Sequence, residues 1–230
     1  MTAKRVKPVV PRRGVRAPKH GSDPEFMLSP TLRRPAEALG PRANRTIALI
    51  LEATKEIFLV RGYAGTTIDE ITRLAGVSRA SFYTYYPSKR DVLLALGANT
   101  ASKQAALIEE LGALSQPGPA DIDGWMKKEF DHLGEDGSFS FVWTQAAHED
   151  EEIRLAGMKR HLEMCRRLGE VMGNLRGEQF ESPAEQGLAV LAMVERSWNY
   201  CRLYAGTIRE ESLRAGVAWI FKRMLEPANT

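Results

Sequence analysis

Hydrophobic residues recur at the spacing of an amphipathic α-helix along most of the chain. The first clear stripe consists of Ile47, Ile50, Leu51, Ile57 and Phe58. The segment RGYAG at 61–65 follows it and supplies two glycines, which favour a turn. The pattern therefore predicts a first helix that ends within this segment.

Two short helices are predicted directly after that turn. Thr67 and Glu70 have the spacing of a capping box, in which the hydroxyl and the carboxylate each accept from a backbone N–H group at the helix start. Gly76 permits a left-handed turn, and Ser78 is a suitable N-cap for a third helix that runs to about Tyr85. The predicted buried face of the second helix consists of Ile68, Ile71, Leu74 and Ala75.

The middle of the chain continues in helices. Pro87 stops the third helix, and Ser88 with Asp91 opens a fourth that can run to about Leu114, before SQPGP at 115–119 breaks it. Further helical segments are predicted at about 121–133, 138–147 and 149–176. The acidic run HEDEE at 148–152 is either a cation site or, as we prefer, the first turn of the last of these helices.

The C-terminal part carries two more start signals. SPAE at 182–185 combines a possible N-cap, a proline at the first helical position and a glutamate at the third, and it predicts a helix over 183–205. Thr207 and Glu210 repeat the capping-box spacing before a last helix that ends near Leu225. No segment alternates like a strand, so the predicted fold is all-α with about nine helices.

The third predicted helix has two different faces. With Phe82 facing inward, Tyr86 follows one turn later, and both can pack with Val77 against the first two helices. The opposite face carries small or hydrogen-bonding residues, namely Arg79, Ala80, Ser81, Tyr83 and Thr84. Such a face can enter the major groove of DNA, where small side chains permit close approach. The alternative is the solvated face of an ordinary helical bundle.

Composition and charge narrow the class of protein. The 230 residues are 43% hydrophobic, which is ordinary for a globular chain. Residues 27–90 carry 10 basic and 5 acidic side chains, a net charge of +5, whereas residues 91–230 carry 15 and 22, a net charge of −7. Attraction for phosphate is therefore expected at the N-terminal end. The apolar runs are too short to span a membrane, and we expect a cytoplasmic protein.

Other candidate chemistry is sparse. Cys165 and Cys201 show no zinc-ligand spacing, and His161 one turn before Cys165 supplies too few ligands for a metal site. No nucleophile and base pair or glycine-rich phosphate loop is apparent, so we expect neither a cofactor nor an enzyme.

The first 26 residues are expected to differ in origin from the rest. GSDPEF before Met27 resembles translated cloning sites, so residues 1–26 are predicted to be an expression leader, with a native basic arm as the alternative. Their 7 basic and 2 acidic side chains account for a net charge of +5. The alkaline isoelectric point of the chain is therefore no sign of DNA binding.

The stretch TTIDEITRLAGVSRASFYTYYPSKRDVLL at 66–94 resembles the helix-turn-helix of TetR-type transcriptional repressors. The shared pattern is an opening Thr-Thr-hydrophobic, an Ala-Gly-Val-Ser turn, an aromatic segment and Ser-Lys. Two residues depart from it, since Thr72 replaces a usual alanine and Tyr85 a common histidine. FYTYYPSK and an aromatic-rich C-terminal part are more weakly similar to the branch that contains the regulator of ethionamide activation.

The resemblance implies roles for individual residues. Thr67, Ser78, Tyr83, Tyr85 and Lys89 correspond to contacts with the DNA backbone. Arg79, Ala80, Ser81 and Thr84 correspond to positions near the bases. Arg42 and Arg45 can reach the minor groove or a phosphate from ahead of the first helix, or form a solvated basic end.

Two features of residues 91–230 suggest a sensor that dimerises. GLAVLAMVERSWNYCRLYAG at 187–206 is apolar on nearly all sides, and the last helix adds Leu213, Val217, Ile220 and Met224. Both helices suit a homodimer interface over roughly 183–225, with a purely internal core as the alternative. An apolar effector pocket, or else core, is expected from Trp125, Phe130, Phe139, Phe141, Trp143, Met158, Met164, Met172 and Trp198.

These observations lead to one functional hypothesis with two alternatives. We expect a dimeric repressor that binds a palindromic duplex operator and is released by a small, largely apolar effector. The expected organisation is a flexible arm at 27–41, a helix-turn-helix DNA-binding domain at 42–88 and an effector-binding and dimerisation domain at 89–230. The alternatives are a helical architectural DNA-binding protein without effector control and, least favoured, a small helical enzyme.

Overall fold

A computed structural model describes residues 39–136 and 138–227, and the predicted leader at 1–26 and most of the predicted arm lie outside the described residues. The described residues form nine α-helices and no strand, which confirms the all-α prediction. Their bounds are α1 Pro41–Arg61, α2 Ile68–Ala75, α3 Arg79–Tyr85, α4 Lys89–Gly112, α5 Pro119–Asp136, α6 Ser138–Glu149, α7 Glu151–Arg176, α8 Pro183–Leu203 and α9 Glu210–Met224.

The capping signals of α2, α3 and α4 behave as predicted, whereas Leu74 of the predicted buried face of α2 is exposed. The Thr67 hydroxyl accepts from the backbone N–H of Glu70, whose carboxylate accepts from the N–H of Thr67 at 3.0 Å. Gly76 has φ of 64° in the left-handed region, where a side chain would be strained. Ser78 and Ser88 cap α3 and α4 through their hydroxyls. Local sequence therefore sets the angles between these short helices.

Two start signals near the C-terminus act differently from the prediction. Ser182 precedes α8 but makes no capping hydrogen bond through its side chain. The Thr207 capping box was a wrong prediction, because α9 begins at Glu210 with Arg209 at the N-cap position. The backbone N–H of Thr207 instead donates to the carbonyl of Tyr204 at 2.9 Å, in the turn that closes α8. Glu210 forms an ion pair with Arg202 of α8.

Two hydrophobic cores are joined by the long helix α4. The N-terminal core contains Phe58, Phe82 and Tyr86 together with Val142 and Ile153 from α6 and α7. The C-terminal core is built mainly from α5, α7, α8 and α9. The N-terminal half of α4 contributes to the first core and its C-terminal half to the second. A shift of α4 would therefore change the packing of both cores.

Close approach of α7 and α8 depends on two glycines. A Cβ atom at Gly187 would fall inside van der Waals distance of the Cys165 carbonyl oxygen, and one at Gly169 would do the same at the Pro183 carbonyl oxygen. The two backbones therefore meet without intervening side chains. Among the described helices, none is both long enough and apolar enough for a bilayer.

Candidate nucleic-acid interface and ligand cavity

The helix α3 is held by one face and presents the other to solvent. Phe82 and Tyr86 are fully buried, with ring centroids 6.1 Å apart. Burial raises the pKa of Tyr86, whose hydroxyl has no hydrogen-bond partner among the described residues. On the other face Arg79, Ala80 and Thr84 are exposed. Burial therefore divides α3 into a packed face and a face open to solvent.

The hydroxyl groups of the predicted DNA contacts are exposed but already bonded locally. Thr67 shares its hydroxyl with Glu70 of α2, and Ser78 accepts from the N–H of Ser81 at 3.0 Å. The Thr84 hydroxyl donates to the Ala80 carbonyl at 2.9 Å. These bonds orient the hydroxyls at the helix starts and on the solvent face of α3, while lone pairs remain for further contacts.

Arg79 is held against its own domain. Its guanidinium pairs with Asp69 of α2, donates to the Tyr83 hydroxyl at 3.2 Å and lies 5.7 Å from the centre of that ring. All three side chains are exposed, so water and a polyanion can compete for them. The carboxylate of Asp69 neutralises the one basic side chain that α3 itself contributes.

Lys89 has a different environment from the one implied by sequence. Its ammonium group donates to the carbonyl oxygens of Tyr63 at 2.7 Å and Thr66 at 2.9 Å, and lies 4.5 Å from the centre of the Tyr63 ring. Burial lowers its pKa. These contacts fasten the α1–α2 turn to the start of α4. The Tyr63 N–H in turn donates to the Gln145 side chain of α6 at 3.2 Å.

Five helices enclose a cavity of about 760 Å³. Its lining comes from α4, α5, α6, α7 and α8. The apolar part includes Phe139 and Trp143, whose ring centroids are 5.6 Å apart, and Met164. Gly97 and Gly157 leave room for these rings, since a Cβ atom at either would clash with them. The volume suits a drug-sized molecule.

Buried polar groups also line this cavity. The Gln104 amide donates to both carboxylate oxygens of Glu129, at 2.8 and 3.0 Å. Burial raises the pKa of Glu129 to about 8, and the bond from Gln104 offsets this only in part. His132 lies one turn further along α5, and burial lowers its pKa. Its Nδ1 has no hydrogen-bond partner among the described residues.

Asp136 connects the cavity wall to the N-terminal part. Its carboxylate accepts from Lys55 of α1 at 2.9 Å and from Lys103 of α4 at 2.8 Å. Burial opposes ionisation of Asp136, but the two lysine hydrogen bonds outweigh it and its pKa stays below the ordinary value. This network joins α1, α4 and α5 through one carboxylate.

The N-terminal part of the chain is similar in sequence to known proteins. The family model for bacterial regulatory proteins of the tetR family matches residues 50–96, which hold α2, α3 and their packing partners. The TtgR transcriptional regulator of Pseudomonas putida is 41% identical over 54 residues, covering 24% of this chain and 26% of TtgR. This N-terminal part is similar to that of TetR-family transcriptional regulators.

Other relatives match this chain over similarly short stretches. The YezE regulator of Bacillus subtilis is 37% identical over 76 residues, covering 33% of this chain and 39% of YezE. EthR of Mycolicibacterium smegmatis is 36% identical over 56 residues, covering 24% of this chain and 26% of EthR. The chain thus spans less than two thirds of the length of these curated relatives.

Solved structures extend the likeness to the whole fold. A TetR-family regulator from Syntrophomonas wolfei has a TM-score of 0.62 at 20% identity, covering 78% of this chain and 94% of that one. FadR from Bacillus subtilis, solved in complex with stearoyl-CoA, has a TM-score of 0.59 at 16% identity, covering 76% and 96%. At these identities the neighbours show that the TetR-family fold continues through the C-terminal helices. Both neighbours are transcriptional regulators by name.

The predicted pocket residues divide into two groups. Phe139, Trp143, Met158 and Met164 line the cavity. Trp125, Phe130, Met172 and Trp198 lie in the C-terminal core instead, where Trp125 stacks on Phe221 at 5.1 Å. The side chain of Phe141 lies outside the described residues.

Sequence reasoning missed the polar residues of the cavity. A signal was present, because Glu129, His132 and Asp136 recur at helical spacing on the buried face of α5. The acidic run at 148–152 was interpreted correctly, since Asp150 caps α7 by accepting from the N–H groups of Glu152 and Ile153.

Proposed function

We propose that this chain is a TetR-type repressor that binds a palindromic duplex operator as a dimer and is released by a small, largely apolar effector. The observation that carries the proposal is the pair of faces on α3. One face is fixed by the buried rings of Phe82 and Tyr86, and the other exposes small and polar side chains in a segment that matches the family model. A helix presented in this way can enter the major groove.

The proposed DNA contacts fall into two classes. Arg79, Ala80, Ser81 and Thr84 face the bases, and the hydroxyls of Thr67, Ser78, Tyr83 and Tyr85 contact phosphates. Arg42 and Arg45 are both exposed near the start of α1, where either can add a phosphate or minor-groove contact. We assign Lys89 an indirect role, because its ammonium group already holds the α1–α2 turn.

The test is selection of duplex DNA from a random library by the purified full chain. We expect an enriched inverted repeat whose half-sites lie about one helical turn apart, as a two-fold dimer requires. The enriched duplex should bind at least a thousandfold more tightly than shuffled duplex at physiological salt. Enrichment of no sequence, with weak binding to every duplex, would favour the architectural alternative and contradict the repressor proposal.

The proposed dimer interface lies on α8 and α9. Six large apolar side chains on or next to these helices are exposed in the single chain: Leu188, Tyr200, Leu203, Tyr204, Trp219 and Ile220. Exposed apolar patches of this kind mark protein interfaces in soluble chains. Two helices from each protomer would form a four-helix interface across a two-fold axis.

The proposed switch runs through α4. Pro87 and Ser88 separate this helix from α3, and the 24 residues of α4 reach from the N-terminal core to the cavity. An effector that fits the cavity better when α4 is displaced would change the spacing of the two α3 helices and release the operator. Operator DNA must then weaken effector binding by the same factor.

A further inference from the structure

The cavity wall holds a buried carboxyl group, that of Glu129, which has no cationic partner among the described residues. Glu129 is 1% exposed, and among the described residues its hydrogen-bond donor is the neutral amide of Gln104. No lysine, arginine or histidine in the described part of the chain forms an ion pair with it, although Asp136 on the same helix has two lysines. A carboxyl group buried without a cation is costly in its charged form.

A second polar group next to Glu129 also lacks a partner. His132 is 7% exposed and lines the same cavity, and its Nδ1 lies 3.8 Å from the nearer Asp136 oxygen, which is too far for a hydrogen bond. Residues three apart on a helix share one face, so Glu129 and His132 are neighbours on α5. In the neutral ring with the proton on Nε2, Nδ1 is an acceptor.

The basic side chains of the lining are placed differently from the acidic ones. Arg154 and His161 of α7 are exposed, Arg160 is half-buried, and Arg154 already pairs with Glu151 at 3.1 Å. The buried part of the lining contains Glu129 and His132. The buried end of the cavity therefore favours a donor or a positive charge, whereas an anion would meet its counter-charges at the exposed residues.

We propose that the cavity binds amphiphilic amines, with the protonated nitrogen donating to the Glu129 carboxylate and to His132 Nδ1 and the apolar body lying against Phe139, Trp143 and Met164. The proposal rests on the proposed effector cavity and names the chemical class of its ligand. An ammonium group supplies up to three donors and the charge that Glu129 lacks. The aromatic rings add apolar contact and can also attract a cation.

Proton release is the signature of this binding mode. In the empty cavity Glu129 is mostly protonated at pH 7, because burial raises its pKa to about 8. An amine that binds as the ammonium ion selects the carboxylate, so the Glu129 proton leaves to solvent. Amine affinity should then rise about tenfold or more from pH 6 to pH 8. The other titratable groups of the lining are His132, Asp136, His148, Arg154, Arg160, His161 and Glu195.

The experiment uses the full chain and three probes with one naphthyl body, namely 1-naphthylmethylamine, 1-naphthylmethanol and 1-naphthoate. Calorimetry at pH 8 should show the amine binding at least tenfold more tightly than the alcohol, and the carboxylate binding weakest. Glu129→Gln keeps the shape and the neighbouring amide. It should weaken the amine at least tenfold, change the alcohol less than threefold and remove most of the pH dependence.

Glu109→Gln is the matched control, because Glu109 is exposed on α4 and the substitution removes the same charge. It should leave all three affinities unchanged. Amine binding that is absent, that is no tighter than alcohol binding, or that survives Glu129→Gln overturns the proposal. Tighter binding of the carboxylate would overturn it in favour of an anionic ligand. Selection of an operator is a separate measurement, so failure of the repressor proposal would show there alone.

Discussion

At the scale of single residues, the surface proposed to face DNA has its exposed polar groups paired with one another. Arg79 pairs with Asp69 and contacts Tyr83, and the hydroxyls of Thr67, Ser78 and Thr84 are engaged in local bonds. These exposed contacts are individually weak, so phosphate and base groups can replace them. The domain therefore presents oriented side chains without a large net positive field on α3.

Releasing Arg79 should strengthen DNA binding. Asp69→Asn removes the carboxylate that competes with DNA for the guanidinium, and we expect a several-fold gain in affinity at low salt that fades as salt rises. Arg79→Ala should instead change the preference at particular base pairs by ~1–3 kcal/mol. Asp131→Asn, at an exposed position of α5, is the charge-matched control. Titration of wild-type and base-substituted duplexes would contradict this assignment if Asp69→Asn weakened binding.

Lys89 should act through the α1–α2 turn. Lys89→Met keeps the apolar stem but removes the donor to the Tyr63 and Thr66 carbonyls, and we expect unfolding free energy to fall by about 1–3 kcal/mol. DNA affinity should fall equally on all sequences, with the salt dependence almost unchanged. Arg45→Met, an exposed control, should reduce the slope of log K against log salt by about 0.9 without a stability cost. The reverse pattern would make Lys89 a phosphate ligand.

At the scale of elements, the contact between α7 and α8 is backbone against backbone. Gly169 and Gly187 bring each helix within reach of a carbonyl on the other side. Cys165, whose carbonyl faces Gly187, is fully buried, and burial raises the pKa of its thiol to about 11. Both helices line part of the cavity, and α8 also carries part of the proposed dimer surface.

The glycine at this contact should be irreplaceable by alanine. In Gly187→Ala the new methyl group would overlap the Cys165 carbonyl oxygen, and separating the helices should cost ~1–3 kcal/mol. Gly124→Ala is the control, since Gly124 is exposed in the middle of α5 with open space around it. That change should stabilise the protein by ~0.5–1 kcal/mol through helix propensity. Denaturant unfolding of both variants tests the contrast, and equal effects would contradict it.

At the scale of the whole molecule, the helix α4 contributes residues to both hydrophobic cores and to the wall of the cavity. The carboxylate of Asp136 adds a second link, because it holds Lys55 of α1 and Lys103 of α4 beside the cavity. A ligand that disturbs this carboxylate would weaken the ion pair that joins α1 to α5. The proposed dimer then converts a small shift into a change of spacing between two α3 helices.

Dimerisation should depend on the exposed apolar surface of α8 and α9. Trp219 is 63% exposed in the single chain, and Trp219→Glu should yield monomers with greatly reduced operator affinity, because the second half-site is no longer coupled. Leu59→Glu changes a similarly exposed apolar residue on α1 and should remain dimeric. Sedimentation velocity at micromolar concentration decides this. A wild-type monomer with full operator affinity is the result that excludes the interface.

Communication between cavity and operator should pass through Lys55. Lys55→Met removes the α1 link to Asp136 while Lys103 still pairs with it, so the ratio of amine-probe affinities without and with operator should fall at least threefold toward one. Coupling factors in such proteins are typically about 5–150 before substitution. Lys127→Met removes an exposed ion pair on α5 and should leave the ratio unchanged. Equal ratios in wild type and Lys55→Met would show that the Lys55–Asp136 ion pair takes no part in the coupling.

Sequence alone determined the helical fold, the bounds of α2 and α3 and the two faces of α3. These features depend on periodicity, caps and a glycine turn, which act over a few neighbouring residues. It did not determine where Lys89 points or which aromatic residues line the cavity, because Trp125 and Phe139 look alike in a periodic pattern. The Glu129, Gln104 and His132 site needed the tertiary structure, since Gln104 meets Glu129 only when α4 packs against α5. Long-range packing decides which polar residues are buried, and burial sets their chemistry.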